Sequence, residues 1–231
     1  MTQDTIFKLH HIGACYRKRT SLPWKDNKFW ALHDVSFDVI AGQTVGIIGR
    51  NGAGKSTLLK ILAGIIMPDR GTICRRADVT VTMQSVGAGF DDRLTGRQNI
   101  FLSGLLLGMD KPSIANRVDE IIRLADIGEF IDEPIKHYSS GMRSRLGFAI
   151  AYYVDTDVIL IDEVLAAGDQ AFREKSSELL KEKIKSDRTV VLVSHDIPKI
   201  SELCDRVIHI EKGRSIEELS VEASIERYLG M

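Results

Sequence analysis

Only three cysteines occur among the 231 residues, Cys15, Cys74 and Cys204. They are far apart and form no C-x-x-C pair, so neither a thiolate metal site nor a disulfide framework is indicated, and a reducing compartment suits them. The N-terminal stretch lacks the apolar core of a signal peptide. No apolar run approaches the ~18 residues that would span a bilayer. Together these absences imply a cytosolic protein, one that can still sit against a membrane through a partner. A basic excess is missing too: Lys and Arg total 31 against 32 Asp and Glu, a formal net charge of −1. A chain that grips phosphate backbones usually carries such an excess, so nucleic acid is not the expected partner. Internal repeats and low-complexity segments are also absent. What remains is ordinary for a folded domain, with 44% hydrophobic and 27% charged residues, and one compact unit with a sub-lobe is the favoured reading.

The first ninety residues read as short strands broken by turns. Ile6 to Ile12 alternates weakly, and Leu32 to Ile40 alternates well, with Val35, Phe37 and Val39 on one face. Residues 17–28 between them read as an exposed loop. Thr44 to Ile48 is an apolar run of buried-strand length, and Lys55 to Ala63 switches to helical periodicity. Pro68 to Gly71 reads as a turn, and Val79 to Met83 as a strand. The stretch 97–130 then carries its apolar residues at helical spacing, and 140–153 also reads as helix. From Asp157 the alternation returns: strand 158–161, helix 170–185, strand 189–194, helix 198–204 and a last strand 206–210. This pattern predicts an α/β fold with a mostly parallel sheet, N-terminal antiparallel strands and an inserted helical subdomain.

Gly49-Arg50-Asn51-Gly52-Ala53-Gly54-Lys55-Ser56-Thr57 fits G-x-x-x-x-G-K-[ST] between a predicted strand and a predicted helix. Glycines let successive backbone N–H groups turn around a phosphate, and the following helix aims its positive end at it. Lys55 would neutralise the β and γ phosphates, and Ser56 would offer its hydroxyl to Mg²⁺. A Gly-rich turn with a solvated lysine is the plainer reading; the complete match and its context outweigh it. Val158 to Ile161 followed by Asp162 and Glu163 reads as a buried parallel strand ending in two acids, where sites of open α/β sheets form. Asp162 would hold Mg²⁺ and Glu163 would polarise an attacking water, against the simpler alternative of a charged turn. His195 follows a third predicted strand end and reads as a γ-phosphate sensor, although a lone histidine there is more often a turn residue. A guanine-specific N-K-x-D motif is wanting, since Asp26-Asn27-Lys28-Phe29 lacks the final Asp.

With Tyr138-Ser139-Ser140-Gly141-Met142-Arg143 added, the chain resembles the nucleotide-binding subunit of an ABC transporter over nearly its whole length. The family's commoner signature reads LSGGQ. The YSSGM form, the VGAGF and LTGRQNI segments (86–90 and 94–100) and DEVLAAGD (162–169) are similar to the subgroup that exports bacterial capsule, O-antigen and teichoic acid. The resemblance implies a P-loop NTPase (RecA-like) fold. It also implies one nucleotide-binding domain over 1–231, with a catalytic core at about 1–90 and 155–231 and a helical subdomain at about 91–154. ATP and Mg²⁺ are the implied ligands, bound in composite sites of a head-to-tail homodimer.

By position, the nucleotide would meet Tyr16, Asn51, Gly52, Ala53, Gly54, Lys55, Ser56 and Thr57 of one subunit and Ser139, Ser140 and Gly141 of the other. Asp169 would be the acid of the loop linking the two sites. Catalysis would fall to Glu163 and His195, and the metal to Ser56, Asp162 and Gln84. Gln84 or Ser85 could fill the glutamine position. Tyr16 is the implied adenine platform, with Trp24, Phe29 and Trp30 as neighbours that could stack or simply pack. Region 84–97 would meet a membrane permease and hold the protein peripherally at the cytoplasmic face of the inner membrane. A short amphipathic helix (Ile216, Leu219, Val221, Ile225, Tyr228, Leu229) closes the chain, with no carbohydrate-binding domain expected after it. Two rival readings stay open: an ABC-type ATPase not coupled to transport, and a nucleotide-gated module that does not hydrolyse.

Overall fold

The computed structural model describes residues 4–17, 28–84, 89–162, 169–186, 188–217 and 220–230. The chain divides into two compact units. One comprises Met1–Met83, Asp157–Asp162 and Asp187–Met231, and the other Gln84–Thr156 and Glu163–Ser186.

Among the described residues, a nine-stranded sheet organises the first unit. Its strands are β1 (Thr5–Arg17), β2 (Lys28–Ile40), β3 (Thr44–Ile48), β4 (Arg70–Arg75), β5 (Val81–Gln84), β6 (Val158–Ile161), β7 (Thr189–Val193), β8 (Arg206–Glu211) and β9 (Arg214–Glu217), in the order β4-β1-β2-β9-β8-β3-β7-β6-β5. Around β3 the pairing is parallel, with β7 on one side and β8 on the other, and β6 continues it beyond β7. Strands buried on both faces need no alternation. Accordingly TVGII, VILI and TVVLV are buried along their whole length. At the other end β1 pairs antiparallel with both β2 and β4. Helix α1 (Lys55–Leu62) drives Leu58, Leu59, Ile61 and Leu62 into the core shared with Leu32, Val35, Val45, Ile47, Leu160 and Val191. Helix α6 (Ile197–Leu203) lies against β3, where Gly46 leaves room for Cys204; a Cβ at Gly46 would stand 2.9 Å from the Cys204 sulfur. Burial pushes that thiol up to about 12, so Cys204 acts as packing and not as a nucleophile. Helix α7 (Val221–Leu229) is fastened through the fully buried Ser224, whose hydroxyl donates to the Val207 carbonyl at 3.3 Å.

The second unit holds α2 (Gly96–Leu106), α3 (Lys111–Ala125), α4 (Ser140–Tyr153) and α5 (Gln170–Ile184). In α3 the buried residues Ile114, Val118, Ile121, Leu124 and Ala125 follow the three-to-four spacing of one helix face. Phe148 of α4 meets Phe172 of α5 edge-to-face at 5.6 Å. Lys183 of α5 donates its ammonium to the Tyr152 and Val154 carbonyls, satisfying the last turn of α4.

Three local expectations change. Arg70–Gly71 is not only a turn but the start of β4, an edge strand whose residues are mostly exposed and therefore carry no hydrophobic pattern. The strand ending at Ile210 is not the last, because β9 pairs antiparallel with β8. Ile216 sits in β9 opposite His209, outside the closing helix that begins at Val221. Of the loop expected at 17–28, Arg17 ends β1 and Lys28 begins β2, and residues 18–27 lie outside the described residues.

Candidate functional site

The register of the parallel strands brings three chain ends to one edge of the sheet. Ile47 pairs with Val193, and Leu192 with Ile161. The residues that follow, Gly49 after β3, Ser194-His195 after β7 and Asp162 after β6, therefore emerge side by side at the carboxyl edge.

The loop after β3 is clamped by backbone on both sides. At Gly49 a Cβ would sit 2.3 Å from the Ile210 carbonyl oxygen, and at Gly54 one would sit 2.4 Å from that of Ala31. Gly54 also takes φ 106°, a conformation that side chains disfavour. Lys55 is buried, and its ammonium folds back across the loop. It donates to the carbonyls of Gly49 at 2.6 Å and Arg50 at 3.2 Å and to His195 Nε2 at 3.3 Å. Asn51, Gly52 and Ser56 are exposed, Ala53 is buried, and Thr57 is half-buried.

Every helix starts with backbone N–H groups that have no partner within the helix. Among the described residues, six of the seven α-helices cover theirs with a side chain: Thr95, Asp110, Ser139, Asp169, Asp196 and Ser220. Helix α1 alone has no side-chain cap, since its cap residue is Gly54, and its first turn contains no acid. The helix whose N–H groups are uncapped is the one with a buried lysine and a glycine cradle at its start. That combination suits an anion.

Tyr16 reaches this region from β1, with its hydroxyl 3.3 Å from Thr57 Oγ1 and its ring 41% exposed. The neighbouring aromatics are placed differently. Trp30 carries the Arg70 guanidinium over its ring at 4.1 Å, Phe29 pairs with Tyr16 across the hairpin, and Trp24 lies outside the described residues. For a hard cation, Ser56 and the half-buried Asp162 supply oxygen donors at the same sheet edge. No cluster of three or more His, Cys, Asp or Glu that could hold a metal occurs among the described residues. Those donors fit a Mg²⁺ that shares its shell with water and substrate oxygens, not one in an all-protein cage. Gln84 ends β5, and its side chain lies outside the described part; Ser85 and Glu163 fall outside it entirely.

The second unit builds its own helix start. Tyr138 is buried, donates its hydroxyl to the Phe130 carbonyl at 2.6 Å, and has its phenol pushed up to about 12 by that burial. Gly96 makes room for it, since a Cβ there would lie 2.1 Å from the Tyr138 oxygen. Ser139 then caps α4, its hydroxyl oxygen accepting from the Met142 N–H at 3.1 Å. Ser140 is exposed and Gly141 half-buried in the first turn. Arg143 pairs with Asp92, and Arg145 lies 3.7 Å from Asp169. Asp169 in turn caps α5 by accepting from Phe172 N–H at 2.9 Å.

Within 84–97, residues 85–88 lie outside the described part, and the remainder is tied down by a residue that sequence reasoning missed. Asn99 is fully buried; its amide donates to the carbonyls of Asp91, Leu94 and Thr95 at 3.1, 3.1 and 2.9 Å, and its oxygen accepts from Asp91 N–H at 2.8 Å. An asparagine four residues after the helix cap Thr95, on the side of the helix that carries Ile100 and Ser103 inward, was the available signal. Asp91 itself is held down at about 2 by the Arg93 guanidinium beside it.

Sequence comparison then decides the family. Residues 32–166, more than half of the chain, match the ABC transporter family. The chain belongs to that family. It is 44% identical over 225 residues to the O-antigen export system ATP-binding protein RfbB of Klebsiella pneumoniae, covering 95% of this chain and 91% of that protein. It is 43% identical over 204 residues to the teichoic acids export ATP-binding protein TagH of Listeria monocytogenes serotype 4b (strain F2365), covering 88% of this chain and 60% of the relative. Among solved structures, the dimeric ATP-binding cassette MJ0796, in a post-hydrolysis state bound to ADP and Pi, superposes with a TM-score of 0.73 at 24% identity, covering 94% of this chain and 99% of that one. The ATP-binding subunit of an ABC transporter gives 0.74 at 22% identity, covering 97% and 93%. The fold of this ABC protein is thus the cassette fold, with its antiparallel N-terminal strands and its helical part. Among the described residues no helix is long and apolar enough to cross a membrane.

Proposed function

We propose that this ABC protein is the ATP-hydrolysing subunit of an exporter that carries a bacterial surface polysaccharide, of the O-antigen or teichoic acid class, across the cytoplasmic membrane. The observation that carries the nucleotide part is the uncapped start of α1, with the Lys55 ammonium lying across the loop before it. The polysaccharide class is supported by identity above 40% to proteins named for O-antigen and teichoic acid export.

On nucleotide binding, Lys55 exchanges the Gly49 and Arg50 carbonyls for phosphate oxygens, which accept more strongly because they are charged. Backbone N–H groups of Asn51 to Thr57 surround the phosphates, and Tyr16 stacks on the adenine. Ser56, Asp162 and Gln84 hold Mg²⁺, which supplies neutralisation of phosphate charge. A second copy of the chain contributes Ser139, Ser140 and Gly141 at the start of α4. The Ser139 oxygen accepts a bond from its own helix, leaving its O–H to donate. Asp169 stands at the seam between the two copies. Glu163 orients the attacking water, and His195 contacts the γ-phosphate. Residues 84–97 meet a membrane permease, which holds the cassette peripherally at the cytoplasmic face, and the whole chain acts as one nucleotide-binding domain with a helical subdomain.

Phosphate release from the purified protein, with and without its permease, tests this reading. The expected result is ATP-dependent release that Glu163→Gln reduces by 10²-fold or more, the scale of a general base. Turnover of Glu163→Gln at the rate of the unmodified protein would remove Glu163 from that role, and no release under either condition would favour the non-hydrolysing module.

A further inference from the structure

The geometry points to Tyr228 as a positioning residue for His195, one whose hydroxyl exchanges donor and acceptor roles when nucleotide arrives. This inference rests on the nucleotide-binding reading above.

The His195 ring is engaged at both nitrogens. Lys55 Nζ stands 3.3 Å from Nε2, and the Tyr228 hydroxyl 3.4 Å from Nδ1. A lysine ammonium has hydrogens to give and no lone pair, so Nε2 must accept. The ring is then neutral and carries its proton on Nδ1, which donates to the Tyr228 oxygen. The same ring can meet a γ-phosphate only with the proton on Nε2, because phosphate oxygens offer lone pairs alone. Nδ1 then becomes an acceptor and needs a donor. A tyrosine hydroxyl can fill either role by rotating its O–H. One proton leaves Nδ1 to solvent water and one arrives at Nε2 from it, so the charge of the ring is unchanged.

Tyr228 is held in place by its neighbours. Its ring stands edge-on to the buried His209 at 5.6 Å. His209 lies opposite Ile48 in the β3–β8 pairing, at the end of β3 that feeds the phosphate loop. Ser224, one turn earlier on α7, is fully buried and bonded to β8. Tyr228 also lines, with Arg50, Asn51 and Gly52, a cavity of about 730 Å³. The hydroxyl is therefore held at His195 by packing that does not depend on the bond itself.

Long-range ¹H–¹⁵N correlation of the histidine rings tests the inference on the full chain, with the His195 signals among the six histidines assigned by their loss in His195→Asn. Nucleotide-free protein should show His195 protonated on Nδ1. Glu163→Gln with Mg-ATP should show the proton on Nε2 with Nδ1 bare. Tyr228→Phe keeps the ring on His209 and removes only the hydroxyl. It should keep the nucleotide-free tautomer, which Lys55 fixes, and lower kcat about five-fold with KM for ATP unchanged, the effect of one net hydrogen bond of about 1 kcal/mol. A structural role alone would let phenylalanine substitute fully. Proton on Nε2 without nucleotide, both nitrogens protonated with ATP, or Tyr228→Phe matching the unmodified protein in kcat would each overturn the inference. Failure of the unmodified protein to bind ATP would instead overturn the reading of the site on which it rests.

Discussion

Replacing Gly54 by alanine separates two costs that the phosphate loop imposes, and Gly52→Ala supplies the reference. Both glycines have positive φ, 80° at Gly52 and 106° at Gly54. An alanine Cβ at position 52 meets nothing within 4 Å, whereas at position 54 it meets the Ala31 oxygen at 2.4 Å and Leu32 Cδ2 at 2.6 Å. Leu32 is fully buried and belongs to the core around β3. Gly52→Ala should therefore cost about 1–2 kcal/mol, the penalty of a side chain in a left-handed conformation. Gly54→Ala adds overpacking of about 1–3 kcal/mol, for roughly 2–5 kcal/mol in all. At about 2–4 °C per kcal/mol for a chain of this size, the melting temperature should fall by about 4 °C for Gly52→Ala and about 10 °C for Gly54→Ala. Differential scanning calorimetry without nucleotide reads both shifts. Equal shifts, within about 1 °C, would refute the claim that backbone and core close on the loop at Gly54.

Asn99→Leu should unfold the second unit more easily. It leaves the Asp91 N–H without its acceptor and takes a second donor from three carbonyls that keep backbone partners, a loss of about 1–3 kcal/mol, and urea melts of the two proteins measure it. Asp157 accepts from the Thr80 N–H at 2.8 Å and the Thr80 hydroxyl at 2.7 Å, which hold its carboxyl below its ordinary 3.8. A carboxyl lowered in the folded state stabilises above its unfolded pKa. That contribution is thus fully present above pH 4 or so, disappears as the pH falls through the lowered value, and is absent in Asp157→Asn. Chemical denaturation of the two proteins should converge in acid; a constant difference from neutral to acid pH would contradict the assignment.

Fold and site were legible in the sequence to different degrees, for physical reasons. The strands at 44–48, 158–161 and 189–193 announce themselves because burial on both faces leaves only apolar residues. The start of α1 was readable too, since a glycine in place of a capping side chain is a local feature. Strand β4 has neither signal: it is exposed, and pairing with β1 alone makes it a strand. Strand β9 is four residues long and exists through its partner β8. Asn99 looked like one more polar residue of a helix until the loop carbonyls were folded around it. The Tyr228–His195 contact joins residues 33 apart. Tyr228 served the amphipathic pattern equally well as a plain apolar position, so only the folded chain distinguishes its hydroxyl. Asp169 was named by its motif, whereas its bond to the start of α5 and its ion pair with Arg145 needed coordinates.

Sedimentation of Glu163→Gln with and without Mg-ATP asks whether two copies of the chain jointly enclose each triphosphate. The protein should sediment as a monomer without nucleotide and as a dimer holding two ATP with it, and the dimer should be lost when Lys55 is replaced by alanine. A Glu163→Gln protein that is saturated with ATP and sediments as a monomer would contradict it.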